Sequence, residues 1–282
     1  MIIKRNSVAD NSARMYKRAS VQHKDSAEKL ITGFQINQAK DNVAYFEISE
    51  KMRSQIRGLA MADRNCQDGI SMIQTASGTL GEADSILLRG RELAVQASND
   101  TLSDSDRAAI NDEIVQIKEE LERMNETTFN EISLFAESNS IETREDEEHN
   151  SLAFQVGPLA GQYITVHLFS VSLEAMGIDD TNVITRESAE SAIQEFDDAM
   201  GYLNAKRSYY GAVEGRLGHA LDQVEDYSDN MTNAETRIRE TNMEKTMVHY
   251  ATTRILMQSG VSMMVQANQS AKGVSSLLGW LD

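Results

Sequence analysis

Residues 48–80 read ISEKMRSQIRGLAMADRNCQDGISMIQTASGTL, and the spacing of their apolar side chains decides the fold. Ile48, Met52, Ile56, Leu59, Ala62, Cys66, Ile70, Ile73, Ala76 and Leu80 follow one another at steps of three or four. That step is the repeat of one stripe on an α-helix, and a strand would need steps of two. The stripe runs on through Ala83, Leu87, Gly90, Ala94 and Ala97, so the spacing predicts one helix over 43–99. At about 1.5 Å per residue such a helix is roughly 85 Å long, more than a compact domain of this chain length needs. Small residues recur along the stripe and allow a second helix to approach closely.

Composition agrees. The chain has one proline in 282 residues, where average usage would give roughly 14. Proline removes an amide donor and clashes with the preceding turn, so its scarcity favours uninterrupted helices. Aromatic residues make up 6% and apolar residues 40%, which suits helix–helix seams better than a globular pocket. The 27 Lys and Arg against 44 Asp and Glu give a net charge of −17. That balance argues against nucleic acid as a partner, because phosphate binding needs concentrated positive charge, and equally against an anionic membrane surface. No window approaches 18 consecutive apolar residues, so no membrane insertion is expected. The opening MIIKRNSVADNSARMYKR holds no apolar stretch of secretory-signal length. Cys66, the sole cysteine, excludes an intramolecular disulfide and reads as a small hydrophobe on the seam.

On either side of the long stripe the pattern stays mostly helical. Residues 7–32 form an amphipathic but polar helix ending at Gly33, and FQINQAKDN (34–42) connects it onward. NDTLSDSD (99–106) is a turn in which Ser103 or Asp104 caps a helix over 104–128, with Ile110, Ile114, Ile117, Leu121 and Met124 on one face. AESNSIETREDEEHNS (136–151) reads as a solvated acidic loop. The period then falls to two. Leu152, Phe154 and Val156 lead into GPLAG (157–161), and Ile164, Val166 and Leu168 follow, a β-hairpin over 152–169 with Pro158 in its turn. Helical spacing resumes near residue 186 with Ile193, Phe196, Met200 and Leu203, then Val213, Leu217, Leu221 and Val224. It reaches nearly to the end through Met247, Tyr250, Met257, Val261 and Met264, with Arg254 interrupting. The fold class is therefore mainly α, a long antiparallel helical coiled-coil or bundle rod with one β-hairpin region.

Catalytic chemistry finds no foothold. The five histidines, His23, His149, His167, His219 and His249, lack ligands at helical spacing, and no Gly-rich loop follows a strand. The neighbouring acids Glu119/Glu120 and Asp197/Asp198 diverge because adjacent helical residues point in different directions. No enzyme activity, cofactor or metal site is expected.

Five ordered blocks resemble those of bacterial flagellins over nearly the whole chain. They are EKLITGFQINQAKDN (28–42), the 48–80 run, RELAVQASND (91–100), FQVGPLAGQYITV (154–166) and SGVSMMVQANQSAKGVSSLL (259–278). The resemblance implies that the terminal arms, 1–42 and 244–282, pair as the inner core of a filament (D0). It implies a next shell (D1) from 43–175 and 186–243, with the hairpin near 152–169. Residues 176–185 become a short connector where other members insert outer domains, which makes this a minimal form. Filament core packing would fall to Met247, Tyr250, Met257, Val261, Met264, Leu277 and Leu278. Amphipathic arms that fold on assembly, and heterologous contacts that never close, suit such a polymer.

The resemblance further implies the partners: other copies of the chain, the filament cap, the hook-associated junction proteins, and an export chaperone at the C-terminal arm. It implies export through the flagellar type III channel without a cleaved signal peptide, and an extracellular place in the filament used for motility. Within LLRGRELAVQASN (87–99), Leu87, Ala94 and Ala97 belong to the seam while Arg89, Glu92 and Gln96 project elsewhere. Arg89 and Leu93, with Glu113 on the next helix, match positions that vertebrate Toll-like receptor 5 reads on flagellin monomers. Two residues depart from the family pattern: Leu88 replaces a polar residue and Gly90 an aliphatic one. Gly90 is expected to remove a side chain from this patch and to cost the helix roughly 1 kcal/mol relative to alanine. Gly279-Trp280-Leu281-Asp282 extends past the usual family end. The alternatives are a hook–filament junction protein, which seldom carries RELAVQ together with ISEKMRSQIRGL, and a non-flagellar helical adaptor, which would show heptads without a hairpin.

Overall fold

The computed structural model describes residues 6–135 and 151–278, with side chains as far as residue 273. The acidic segment 136–150 and the terminal Gly279–Asp282 lie outside the described residues. In chain order the elements are α1 (Ser7–Thr32), α2 (Val43–Ala97), α3 (Asp104–Asn125), β1 (Thr128–Phe129) and β2 (Ile132–Ser133). There follow β3 (Ser151–Gln155), β4 (Tyr163–His167), α4 (Leu173–Met176), α5 (Arg186–Arg239) and α6 (Met243–Leu278). They form two compact units, an arm unit of Met1–Ser54 with Asn230–Asp282 and a central unit of Gln55–Asp229. These divisions fall inside α2 and α5. The first turns of α2 already pack within the arm unit. Ser49 there is fully buried against Arg239, while Ile48, expected on the stripe, is exposed.

In the central unit the predicted stripe is the core. Leu59, Ala62, Cys66, Ile73, Ala76, Leu80, Ala83, Leu87, Ala94 and Ala97 of α2 are all buried. Phe196, Leu203, Tyr210 and Leu217 of α5 and Ile110, Ile114 and Leu121 of α3 complete the cluster. Fully burying each large side chain stabilises by roughly 1.5–3 kcal/mol, and the charged faces of the same helices remain wet. Gly90 belongs to this seam. A Cβ there would lie 2.7 Å from Phe196 Cε1, so the glycine is the floor beneath an aromatic ring and removes nothing from the exposed patch. Its place on the stripe is as the spacing predicts, whereas the expected loss of a side chain from the patch does not occur.

Ser103 caps α3 through a reciprocal capping box with Asp106. The helix ends at Asn125, short of the expected 128, because β1 and β2 turn back at Asn130 and Glu131, both with positive φ (49° and 68°). Two successive left-handed residues define a tight two-residue hairpin. Asn130 was a legible cue for it; Glu131 was not.

The larger hairpin pairs β3 with β4 in antiparallel register, Phe154 opposite Ile164. Ile164, Val166 and Leu168 are buried, as alternation requires. Gln155 Nε2 donates to the carbonyls of Gly157 (2.7 Å) and Leu159 (2.6 Å) and so ties the turn. The hairpin lies on α2, where Gly58 leaves room for Pro158 and Gly69 for Phe154. Asn65 Nδ2 donates to the Gln155 carbonyl at 3.1 Å.

The connector 176–185 is packed, with Met176, Ile178 and Val183 buried. Lys118 of α3 holds it by donating to the carbonyls of Asp179 and Thr181, each at 2.7 Å. Burial pushes the Lys118 ammonium pKa down, against the pull of Asp179, Glu195 and Asp180.

In the arm unit α1 runs antiparallel to α6. Asn6 caps α1 by accepting from Ala9 N, and Gly33 (φ 75°) ends it in the left-handed region that favours glycine. The last helical stretch is not continuous to the end. It breaks at Glu240–Asn242, where Gln35 N donates to the Arg239 carbonyl (2.7 Å) and Thr241 N to the Gly33 carbonyl (2.9 Å).

Candidate functional site

The arm unit pairs two helices along one seam and leaves a second surface open. Its inner seam repeats every three and four residues: Ala9, Ser12, Tyr16, Ala19, His23, Ser26 and Leu30 on α1, and Thr246, Tyr250, Thr253, Met257, Gly260, Met264 and Ala267 on α6. This is a coiled-coil spacing filled largely by small or polar side chains. Tyr16 packs over Gly260, and the His23 ring stacks on Tyr250 with centroids 4.2 Å apart. His23 Nδ1 lies 3.3 Å from Thr253 Oγ1, and His249 Nδ1 lies 3.1 Å from Ser26 Oγ. Thr253 Oγ1 already donates to the Tyr250 carbonyl and Ser26 Oγ to the Gln22 carbonyl. With both hydroxyl protons committed, each hydroxyl oxygen accepts and each imidazole donates through Nδ1.

The larger apolar side chains lie outside. Ile31 of α1 is 85% exposed, and Val8, Met15 and Val21 are exposed beside it on the same helix. On α6, Met247, Val248, Ile255, Leu256, Val261, Met263 and Val265 are exposed. The residues expected to pack a filament core therefore separate into two sets. Tyr250, Met257 and Met264 face α1, while Met247 and Val261 point outward, because Thr246 and Gly260 take the seam positions beside them. Leu277 and Leu278 lie in the last turn of α6, where the side chains fall outside the described residues. Ile255, Leu256, Met263 and Val265 were missed by reading one stripe. Consecutive apolar residues at 255–257 and 263–265 are the signal that α6 is apolar on more than one face.

Arg239, which the sequence did not single out, joins the helix ends. It is 8% exposed, and its Nη1 donates to Ser49 Oγ (3.1 Å) and Glu50 Oε1 (2.7 Å). Its guanidinium lies 5.1 Å from the Phe34 ring centre and 5.9 Å from that of Phe46. The hydrogen bond from Arg239 holds the Glu50 carboxyl below the usual carboxylate range.

On the central unit, Arg89 and Glu113 are brought together. Arg89 Nη2 and Nε lie 2.9 and 3.2 Å from Glu113 Oε1, and Nη1 lies 3.3 Å from Glu92 Oε2. Hydrogen bonding to Glu113, and then to Glu92, raises the Arg89 pKa further. Leu93 is not part of that surface. It is 2% exposed and belongs to the core cluster, while Leu88 and Val95 are the exposed apolar residues nearby.

Among the described residues no group of three or more His, Cys, Asp or Glu is arranged to hold a metal, and no helix is long and apolar enough to cross a membrane. A small, polar inner seam leaves an extended set of large apolar residues exposed on both helices, a surface of the kind that mediates association between chains. The fold and surface thus define a self-associating helical structural protein.

Residues 3–140 match the family described as bacterial flagellin N-terminal helical region, and residues 193–278 match bacterial flagellin C-terminal helical region. A flagellin of Halalkalibacterium halodurans is 42% identical over 99% of this chain and 100% of its own length. A flagellar filament 33 kDa core protein of Treponema phagedenis is 36% identical, again over 99% and 100%. The crystal structure of Bacillus cereus flagellin superposes with a TM-score of 0.50 at 29% identity, covering 61% of this chain and 94% of that one. The chain belongs to the bacterial flagellin family. It is a subunit of the extracellular flagellar filament and polymerises with copies of itself.

Proposed function

We propose that the outward face of α6, with the exposed apolar residues of α1, is the surface through which successive subunits bury one another in the filament's inner core. The observation that carries this is the exposure of Met247, Val248, Ile255, Leu256 and Val261 on a helix whose seam is already occupied. The D0 layer then comprises 1–42 and 244–282, and D1 comprises 43–175 and 186–243. The same arm is where an export chaperone binds before assembly, and the cap and the hook-associated junction proteins meet the ends of the polymer. Export proceeds through the flagellar type III channel.

Replacing Met247 and Val261 together by Asp tests the packing role. Sedimentable polymer is lost at concentrations where the parent chain assembles, with the helical circular dichroism of the monomer unchanged. Normal polymer from this variant rejects the assignment.

We further propose that Toll-like receptor 5 reads the Arg89–Glu113 pair on the monomer. Leu93 acts there through the packing beneath the pair and not by contact. Arg89→Ala then lowers receptor activation by roughly tenfold or more, about 1.4 kcal/mol or above. Activation equal to that of the parent rejects the patch.

A further inference from the structure

The total charge conceals a division between the two units. Residues 1–54 with 230–282 carry 15 Lys and Arg against 10 Asp and Glu, and residues 55–229 carry 12 against 34. The arm unit is therefore at +5 and the central unit at −22, which together restore −17. Each sign has a focus. On the outward face of α1, Arg14, Lys17, Arg18 and Lys24 surround Val21, and all are exposed. On α5, Asp222, Glu225, Asp226 and Asp229 are exposed along one face.

Among the described residues none of these eight side chains makes an ion pair or a side-chain hydrogen bond. Other arginines of the central unit are engaged: Arg91 with Asp197 at 2.6 Å, Arg89 with Glu113, and Arg186 with Asp100. The α5 carboxylates are thus a surplus that the central unit does not neutralise for itself.

The two sets also share a spacing. Positions 14, 17 and 18 and positions 222, 225 and 226 are both i, i+3, i+4, and Asp229 continues the second at i+7. Such positions share one helix face. The i, i+3, i+4, i+7 pattern reads the same in either direction, so a parallel or an antiparallel approach sets cations opposite carboxylates. Asp25 and Glu28 make the α1 face mixed beyond Lys24, which bounds the basic patch.

We propose that the basic face of α1 in one subunit docks on the acidic face of α5 in a second copy of this chain. This rests on the self-assembly stated above and names one contact within it. Copies whose central units each carry −22 repel as they approach. A basic arm from a neighbour relieves that repulsion while it selects position. An exposed ion pair alone contributes little, but several converging charges act together and are screened beyond about 8 Å at physiological salt. The contact therefore steers assembly and weakens as salt rises.

The test uses the full-length chain and the critical concentration for polymerisation, read by sedimentation at low and at high NaCl. The parent chain must polymerise, which separates failure of this contact from failure of self-assembly itself. Arg14→Glu with Lys17→Glu and Arg18→Glu raises the critical concentration at least tenfold at low salt, and Asp222→Lys with Glu225→Lys and Asp226→Lys does the same. Combining all six reversals in one chain returns it to within about threefold of the parent. A 1:1 mixture of the two triple variants polymerises below the critical concentration of either alone, because each supplies the sign the other lacks. High salt narrows every difference. A combined variant no better than the worse triple variant overturns the pairing. Rescue in the combined chain without rescue in the mixture places the contact within one chain and overturns the docking between copies. If the α1 reversal leaves polymerisation unchanged and abolishes co-sedimentation with phosphatidylglycerol vesicles, the face serves an anionic lipid surface and the proposal falls.

Discussion

The two units use the same helical repeat to bury opposite kinds of side chain. In the central unit the stripe positions are mostly Leu, Ile, Phe and Ala, and the exposed positions of the same helices are mostly charged or polar, with Met61, Leu88 and Val95 among the exceptions. In the arm unit the seam holds Ser12, Ser26, Thr246, Thr253 and two hydrogen-bonded histidine pairings, while valine, isoleucine and methionine lie outside. The hydrophobic effect stabilises burial wherever it occurs. The difference therefore lies in where burial is completed: within the chain for the central unit and, in the packing proposed above, between chains for the arms. A seam of this composition holds α1 and α6 in register through small side chains and hydrogen bonds.

The sharpest way to break this contrast is to truncate one large apolar side chain in each unit. Phe196→Ala empties the space above Gly90 and costs about 3–5 kcal/mol of central-unit stability in urea unfolding of the monomer. Met247→Ala, on the exposed face of α6, shifts that unfolding by under about 0.5 kcal/mol yet raises the critical concentration for polymerisation. If Met247→Ala destabilised the monomer as Phe196→Ala does, the arms would be a finished domain.

A smaller effect sharpens the central side. Gly90→Ala gains about 1 kcal/mol of helix propensity and loses about 1–3 kcal/mol to crowding at Phe196. The variant is expected to melt below the parent, the reverse of an ordinary helical glycine. Smaller still is Thr253→Ala in the arm seam. It removes the acceptor of His23 and costs roughly 0.5–1.5 kcal/mol, visible as faster amide exchange in α1 and α6 but not in α3.

The least effect is one of pH. Asp41 accepts from the backbone N–H groups of Gln38 (3.0 Å) and Asn37 (3.1 Å), and chiefly the Gln38 bond lowers its pKa below the ordinary 3.8. Because the folded value is depressed, its contribution is present above the ordinary value and is lost as pH falls through the folded one. Amide protection at residues 37 and 38 therefore declines only below about pH 4. Asp41→Asn abolishes that pH dependence.

Much of the architecture was legible from spacing because it depends on local period. The long stripe from Leu59 to Ala97, the capping of α3 at Ser103 and the alternation through Ile164, Val166 and Leu168 each needed only neighbours along the chain. What escaped depends on pairs far apart in sequence. Gly90 looks like a gap in a patch until Phe196, 106 residues later, is seen above it. Leu93 reads as a surface residue until the core cluster closes around it. The α6 surface was half legible, since one stripe names the seam and says nothing of a second apolar face. Arg239 was invisible because its partners, Ser49 and Glu50, lie on another helix.

Gly90 has one more consequence. Every position one turn away on α2, Ile86, Leu87, Leu93 and Ala94, carries a Cβ, so the Phe196 ring has one seat along that stretch of helix. The adjoining Arg91–Asp197 pair, 2.6 Å apart, pins the same point with charge. Together they act as a zero mark on a ruler. α5 cannot creep along α2 by a turn without lifting an aromatic ring and parting an ion pair. The axial height of whatever α5 displays in this unit, its acidic face included, is thereby set once and repeated identically in every subunit.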